Sequence, residues 1–247
     1  MDTIKYQLNA RRQPYGQGAD LSLLNESVGN EVLAFHQKFP DYRVTPLRKL
    51  EFLSQRLGLG SIHIKDEAQR FGLNAFKGLG GSYAMGKYLA ALLERDINTL
   101  SFAELNSPVI KARIKDIVFV TATDGNHGRG VAWAAEQLGL RAVVYMPKGS
   151  SPVRAQNIRR HGAECTITEL NYDDTVRLAA KTAREQGWVL LQDTAWQGYE
   201  QIPTWIMQGY MTLAVEIWQQ LAESGAPMPT HLFLQAGVGS FAGSIMG

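Results

Sequence analysis

Three short stretches carry residues whose types and spacing could do chemistry. In NAFKGLGG, residues 74–81, Lys77 stands alone between an aromatic residue and three glycines. Such an octet reads either as a glycine-rich turn whose lysine reaches water, or as bare backbone that leaves room for a flat ligand bonded to the amine. In TDGNHG, residues 123–128, Asp124, Asn126 and His127 are crowded among glycines. A lone histidine is usually a satisfied structural one, and Asp124 could simply cap a following helix. Against that, so dense a polar cluster has little packing value. In GVGSFAG, residues 237–243, Gly237, Gly239 and Ala242 fit the dinucleotide pattern G-x-G-x-x-G/A. A dehydrogenase and a tight packing turn are both compatible with that match. The ligand readings share one physical feature, an anion such as a phosphate held by amides at a helix N-terminus.

All three stretches follow apolar runs, and the elements around them alternate. SIHIKDE reads as a short strand and GSYAMGKYLAALLERD as a helix with apolar residues at helical spacing. DIVFVTAT is a continuous apolar run, as expected of a strand buried on both faces. GNHGRG then opens the helix VAWAAEQLG, which ends at a glycine. RAVVYMP, AECTITEL, WVLLQD and THLFLQAG read as further strands, separated by the helices SPVRAQNIRRHG, YDDTVRLAAKTAREQG and TWIMQGYMTLAVEIWQQLAESG. This alternation predicts parallel βαβ units in an open, doubly wound sheet, with ligands at the carboxyl ends of its strands. The first sixty residues are less regular. At Gly247 the chain stops just after GVGSFAGSIMG has begun a helix, an ending expected of a C-terminally truncated chain.

Composition narrows the class. In 247 residues, 25 basic side chains nearly cancel 23 acidic ones, which argues against a nucleic-acid or anionic-membrane partner. One cysteine, Cys165, excludes an internal disulfide framework and a cysteine-based zinc site, and no second histidine stands at metal spacing from His127. The polar opening residues lack an apolar leader core, and no apolar run approaches a bilayer span. The expected setting is cytoplasmic and reducing, with no metal.

Together the lysine turn, the DGNHG turn and the late glycine loop, on a βαβ chain opened by TPL, resemble the fold type II pyridoxal-phosphate enzymes of the tryptophan-synthase-β and threonine-dehydratase kind. Within that family the chain is most similar to the diaminopropionate ammonia-lyases. The matching segments run over nearly the whole chain from Tyr42: RFGLNAFKGLGG, TATDGNHGRGVAWAAEQLG, YMPKG, GAEC, NYDDTVRLA, QDTAWQGY, IPTWIMQGY and LQAGVG.

The resemblance implies that Lys77 bonds pyridoxal 5'-phosphate as an imine, and that Asn126 hydrogen-bonds the ring's 3-oxygen. It also implies that Gly237, Val238, Gly239 and Ser240 take the phosphate through backbone amides and a hydroxyl. Dehydratases of this fold carry a small hydroxyl residue where Asp124 stands. A carboxylate there repels the carboxylate of a simple amino acid and suits a substrate with a second ammonium, as 2,3-diaminopropionate has. By resemblance, Asp124 takes the α-proton of the D-isomer and Lys77 serves the L-isomer. Asp193 matches another active-site carboxylate; a capping role is its bland alternative.

The expected architecture is therefore α/β, with two lobes of open, mainly parallel sheets flanked by helices and the C-terminal part of the larger lobe missing. Residues 1–85 and 201–247 would belong to the larger lobe and 86–200 to the smaller. The expected reaction is elimination of ammonia from 2,3-diaminopropionate to give pyruvate, by a homodimer in the complete enzyme. The alternatives are a threonine/serine dehydratase and an inactive remnant.

Overall fold

The computed structural model describes Ala10 and residues 21–247. Its first part holds helix α1 (Glu26–His36), strand β1 (Leu47–Lys49), helix α2 (Glu51–Leu57), strand β2 (His63–Lys65) and helix α3 (Lys77–Leu92). Two short helices follow, α4 (Phe102–Leu105) and α5 (Pro108–Ile114). Then strands and helices alternate: β3 (Val118–Ala122), α6 (Asn126–Leu138), β4 (Arg141–Met146), α7 (Pro152–Arg159), β5 (Glu164–Ile167), α8 (Tyr172–Gln186) and β6 (Val189–Leu190). Helices α9 (Gln201–Glu223) and α10 (Ser240–Met246) close the described chain.

The main sheet has the order β5-β4-β3-β6 and is wholly parallel, with Val120 of β3 opposite both Val143 of β4 and Leu190 of β6. Every residue of β3 is buried, as its unbroken apolar run requires of a central strand. Its two faces divide the apolar core. Phe119 packs toward α3 and α6, while Val118, Val120 and Ala122 pack with Ala179 and Ala183 of α8. Helices thus cover both faces, the α/β arrangement that the alternation predicts. Local chemistry ends and starts the helices: α6 and α8 stop at left-handed Gly139 and Gly187, and the Asn171 side chain caps α8 by accepting from Asp174 N–H.

Three elements differ from the sequence expectation. SIHIKDE contributes β2, but it pairs antiparallel with β1 in a separate two-stranded sheet, because the proline turn at Pro46 brings Leu47 opposite Lys65. THLFLQAG is not a strand. Residues 231–236 have no ladder partner among the described residues, and Phe233 is 92% exposed. A β-rich run becomes a strand only where a second chain segment takes its backbone groups. The third difference is at Lys77. The lysine is the first residue of α3, four residues before the expected helix start, so NAFKGLGG is a helix entry and not a turn.

The glycines of that entry are also spent otherwise than expected. A Cβ at Gly80 would lie 2.6 Å from the Tyr210 ring of α9, and one at Gly81 would lie 3.3 Å from the backbone of Gly130 in α6. One at Gly78 would meet Leu73, Phe71 and Trp133. These glycines do not clear room for a ligand; they let α3 pack almost backbone to backbone between α6 and α9. Such contact fixes the start of α3, and with it Lys77, against two other helices.

A buried ionic network ties the segment before α3, and β2, to α9. Arg70 gives its guanidinium to Glu67 and to Glu216 of α9, at 2.8 and 2.7 Å, while Lys65 of β2 pairs with Glu216 at 2.6 Å. Burial works against the Glu216 carboxylate, but the Arg70 and Lys65 contacts outweigh it and hold its pKa below the usual value. No helix among the described residues is long and apolar enough to cross a membrane.

Candidate active site

Three helices begin at one cavity. Lys77 is the first residue of α3, Asn126 of α6 and Ser240 of α10, and all three line a space of about 380 Å³. Asp124, Asp193, Gly237, Val238 and Gly239 line it too, so every site residue expected from the sequence meets there. Two of these residues sit just past strand ends, Asp124 after β3 and Asp193 after β6, at the carboxyl edge of the parallel sheet. The partial positive charge of helix N-termini makes this edge a place for anions.

Lys77 enters the cavity between aromatic walls, with Nζ 5.2 Å from the Tyr210 ring centre and 5.5 Å from that of Phe76. Its partner is Asp193 Oδ2 at 3.1 Å. Asp193 is 7% exposed and lies 3.8 Å from His127 Nδ1 through the same oxygen. Burial alone would raise its pKa, but the charges of His127 and Lys77 and the Lys77 hydrogen bond hold the carboxyl below its usual value. Asp193 does not cap a helix: α9 begins at Gln201 with Glu200 before it.

The DGNHG turn is built so that its two polar tips stay free. Thr123 Oγ1 accepts from the N–H groups of Gly125 and Gly128, and Arg154 donates to the Asp124 carbonyl at 3.0 Å. Gly125, at φ +157° and ψ −79°, takes a conformation that side chains rarely adopt. The Asp124 carboxylate makes no hydrogen bond among the described residues, so the capping alternative is not what the structure holds; Thr123 supplies that stitch. Asp124 and Asn126 are exposed at the cavity, while His127 turns inward and donates from Nε2 to the Leu191 carbonyl at 2.8 Å.

The glycine loop is open. A Cβ at Gly237 or Gly239 would meet nothing within 4 Å, although Gly239, at φ +96°, needs glycine for its backbone. The N–H groups of Val238, Gly239 and Ser240 have no acceptor among the described residues. The Ser240 hydroxyl is spent differently from the expectation, donating to the Asp193 carbonyl at 3.0 Å. It ties the loop to the end of β6.

Sequence reasoning passed over Tyr172 and Phe241. Tyr172 starts α8, lines the cavity and accepts from Gln192 Nε2 at 3.3 Å; burial first, then the charges of Asp193 and Asp124, push its hydroxyl pKa up. The signal was present, since NYDD is another strand-to-helix turn at the same sheet edge. Phe241 packs on Phe76 with ring centres 4.4 Å apart, a contact between segments 165 residues distant that no local pattern reveals. A larger concavity of about 650 Å³ lies elsewhere, between α8 and Trp196–Tyr199. It lacks a lysine, a carboxylate and a helix start, so the smaller cavity is the candidate site.

The residues present fit pyridoxal phosphate on this chain's own geometry: an amine inside a partly enclosed cavity, aromatic walls, and an open loop of unpaired amides at a helix start. The sequence pattern of the family described as "Pyridoxal-phosphate dependent enzyme" matches residues 38–246. The chain is 77% identical over 246 residues to diaminopropionate ammonia-lyase of Salmonella typhimurium, covering all of this chain and 61% of that protein. It is 49% identical over 247 residues to the enzyme of the same name from Escherichia coli, again covering 61% of it. Among solved structures, the Escherichia coli diaminopropionate ammonia lyase in complex with an aminoacrylate-PLP azomethine reaction intermediate superposes with a TM-score of 0.84 at 51% identity. That match covers 91% of this chain and 56% of the other. The chain thus spans about three fifths of the length of these relatives, and from its matched residues and its site it belongs to the pyridoxal-phosphate dependent enzymes.

Proposed function

We propose that the protein eliminates ammonia from 2,3-diaminopropionate, giving pyruvate and ammonia, with Lys77 as the residue that holds pyridoxal phosphate covalently. The observation that carries this is the pair of carboxylates, Asp124 and Asp193, lining one cavity with Lys77. A hydroxy amino acid brings one ammonium to a site; a diamino acid brings two, and two carboxylates offer both a counter-charge. The relatives named for this reaction support the same reading.

Asn126 would bond the cofactor ring, and the amides of Val238, Gly239 and Ser240 would hold its phosphate. When bound, pyridoxal phosphate supplies an electron sink for the pair left by a broken Cα–H bond. Everything else falls to the chain. Asp124, free of hydrogen bonds at the cavity mouth, removes the α-proton of the D-isomer. Lys77, from the start of α3, removes that of the L-isomer. Asp193 accepts from the substrate's amino groups, and Tyr172, held protonated, can donate a proton to a departing amine. Phe76, Tyr210 and Phe241 keep water from the lysine side. The two-lobe division, with the boundary near residue 85, belongs to this reading: it would fall inside α3, the helix that packs on both α6 and α9.

The test is turnover. The protein is supplied with pyridoxal phosphate and with D- or L-2,3-diaminopropionate or threonine, and keto-acid formation is followed. Pyruvate from the diamino acid at a kcat/KM at least tenfold above that for threonine supports the reading. Preference for threonine would replace it with the dehydratase alternative.

A further inference from the structure

His127 is buried to 5% exposure, and its two ring nitrogens are in unlike positions. Nε2 faces the Leu191 carbonyl at 2.8 Å, and a carbonyl can only accept, so Nε2 carries a proton. Nδ1 is enclosed with no hydrogen-bond partner, yet the atom it faces is Asp193 Oδ2 at 3.8 Å. A neutral ring with its proton on Nε2 sets a bare lone pair against a buried carboxylate whose counter-charge is Lys77, so that when the amine is neutral the two face each other uncompensated. A proton on Nδ1 removes that conflict and turns the pair into an attraction. The same carboxylate oxygen takes the Lys77 amine at 3.1 Å. One oxygen therefore stands between a lysine and a histidine.

We propose that His127 is a positioning residue of this site: it receives a proton on Nδ1 and becomes the cation that balances Asp193 when the Lys77 amine is neutral. The proposal rests on the reading of Lys77 as the cofactor's lysine, because an amine must be uncharged to bond a carbonyl. The proton movement balances. An Nζ–H bond of the Lys77 ammonium breaks and its proton passes to Asp193 Oδ2; a proton passes from Oδ2 to His127 Nδ1. Lysine ends neutral, histidine ends as imidazolium, the carboxylate is restored and the net charge of the three groups is unchanged. The 3.8 Å gap at Nδ1 exceeds a hydrogen bond, so the transfer requires the Asp193 side chain to turn toward the ring. The other titratable groups acting on Asp193 are Tyr172, Tyr199 and Tyr210, whose hydroxyls burial keeps protonated, so they do not compete for the proton. Asp124 lies at the exposed mouth of the same cavity.

The test begins without cofactor. Lys77→Met removes the amine's charge while keeping the length of its stem. In the full chain labelled with ¹⁵N-histidine, the five imidazoles are assigned by replacing the other four in turn. At neutral pH both ring nitrogens of His127 should carry protons in Lys77→Met, and Nδ1 should lose its proton in Lys77→Met/Asp193→Asn. A bare Nδ1 in the single variant, or no change on adding Asp193→Asn, overturns the proposal. A second measurement uses His127→Gln, whose amide can still donate to the Leu191 carbonyl but has nothing at Nδ1. Borohydride trapping of pyridoxal phosphate on Lys77 should slow at least tenfold at neutral pH and recover in alkali; an unchanged rate counts against the relay. If wild-type Lys77 is not trapped at all, the reading of the site fails, independently of the histidine spectrum.

Discussion

Gly130 of α6 lies so close to the start of α3 that a Cβ there would sit 2.6 Å from the Lys77 carbonyl carbon and 2.7 Å from its carbonyl oxygen. Lys77 is thus positioned through its backbone, by a residue with no side chain. Backbone atoms cannot rotate away, so even one methyl group must push the helices apart. Gly130→Ala should destabilise the fold by about 1–3 kcal/mol and displace Lys77 from Asp193. Chemical denaturation reads the first effect and cofactor affinity the second. Unchanged stability and affinity would mean that α3 and α6 slide freely.

Lys77 should be the residue labelled when the protein is mixed with pyridoxal phosphate, reduced with borohydride and digested. Lys65, the other lysine buried near the assembly, is fully engaged with Glu216, Gln220 and the Thr45 carbonyl. Label on Lys65 or Lys148, with Lys77 unmodified, would refute the assignment.

Asp124→Asn should impair turnover of D-2,3-diaminopropionate by about 10²–10⁴-fold, the usual cost of losing a positioned base, and affect the L-isomer far less. The carboxylate is unbonded at the cavity mouth, while Thr123 and Arg154 hold the turn, so the variant keeps its local fold. Equal losses for both isomers would make Asp124 a binding group and not a stereospecific base.

Glu216→Gln should cost about 3–5 kcal/mol, because it leaves Lys65 and part of the Arg70 guanidinium buried without their counter-charge. The pH dependence has a definite sign. A carboxyl whose folded pKa is depressed contributes stability that is present above its ordinary value, 4.5, and is lost as pH falls through the lower folded value. Wild type should therefore lose stability in acid more steeply than Glu216→Gln. Parallel acid limbs in the two proteins would show that Glu216 is not a source of the acid sensitivity.

The parallel architecture was legible in the sequence because it depends on local signals, and so were the turns proposed as the site. The unbroken run VFVTA required a strand buried on both faces, the glycine at 139 required a helix stop, and polar residues crowded among glycines before helices marked the candidate turns. Asp193 was named only through the family resemblance, whereas Lys77, Asp124, Asn126 and the Gly237–Ser240 loop could be singled out as candidates from such turns. What the glycines beside Lys77 do could not, since a bare backbone serves a ligand or a neighbouring helix equally well until the neighbours, Tyr210 and Gly130, are in place. The outcome for THLFLQAG was likewise open, because β-propensity supplies a willing segment but not the partner that makes it a strand. Tertiary structure alone decided that Arg70 and Glu216, 146 residues apart, share a buried ion pair. It alone set the sixty-fourth residue after His127, Leu191, as the acceptor that points the ring's other nitrogen at Asp193. Such pairings are set by how helices and sheet pack in three dimensions, and sequence spacing carries no record of them.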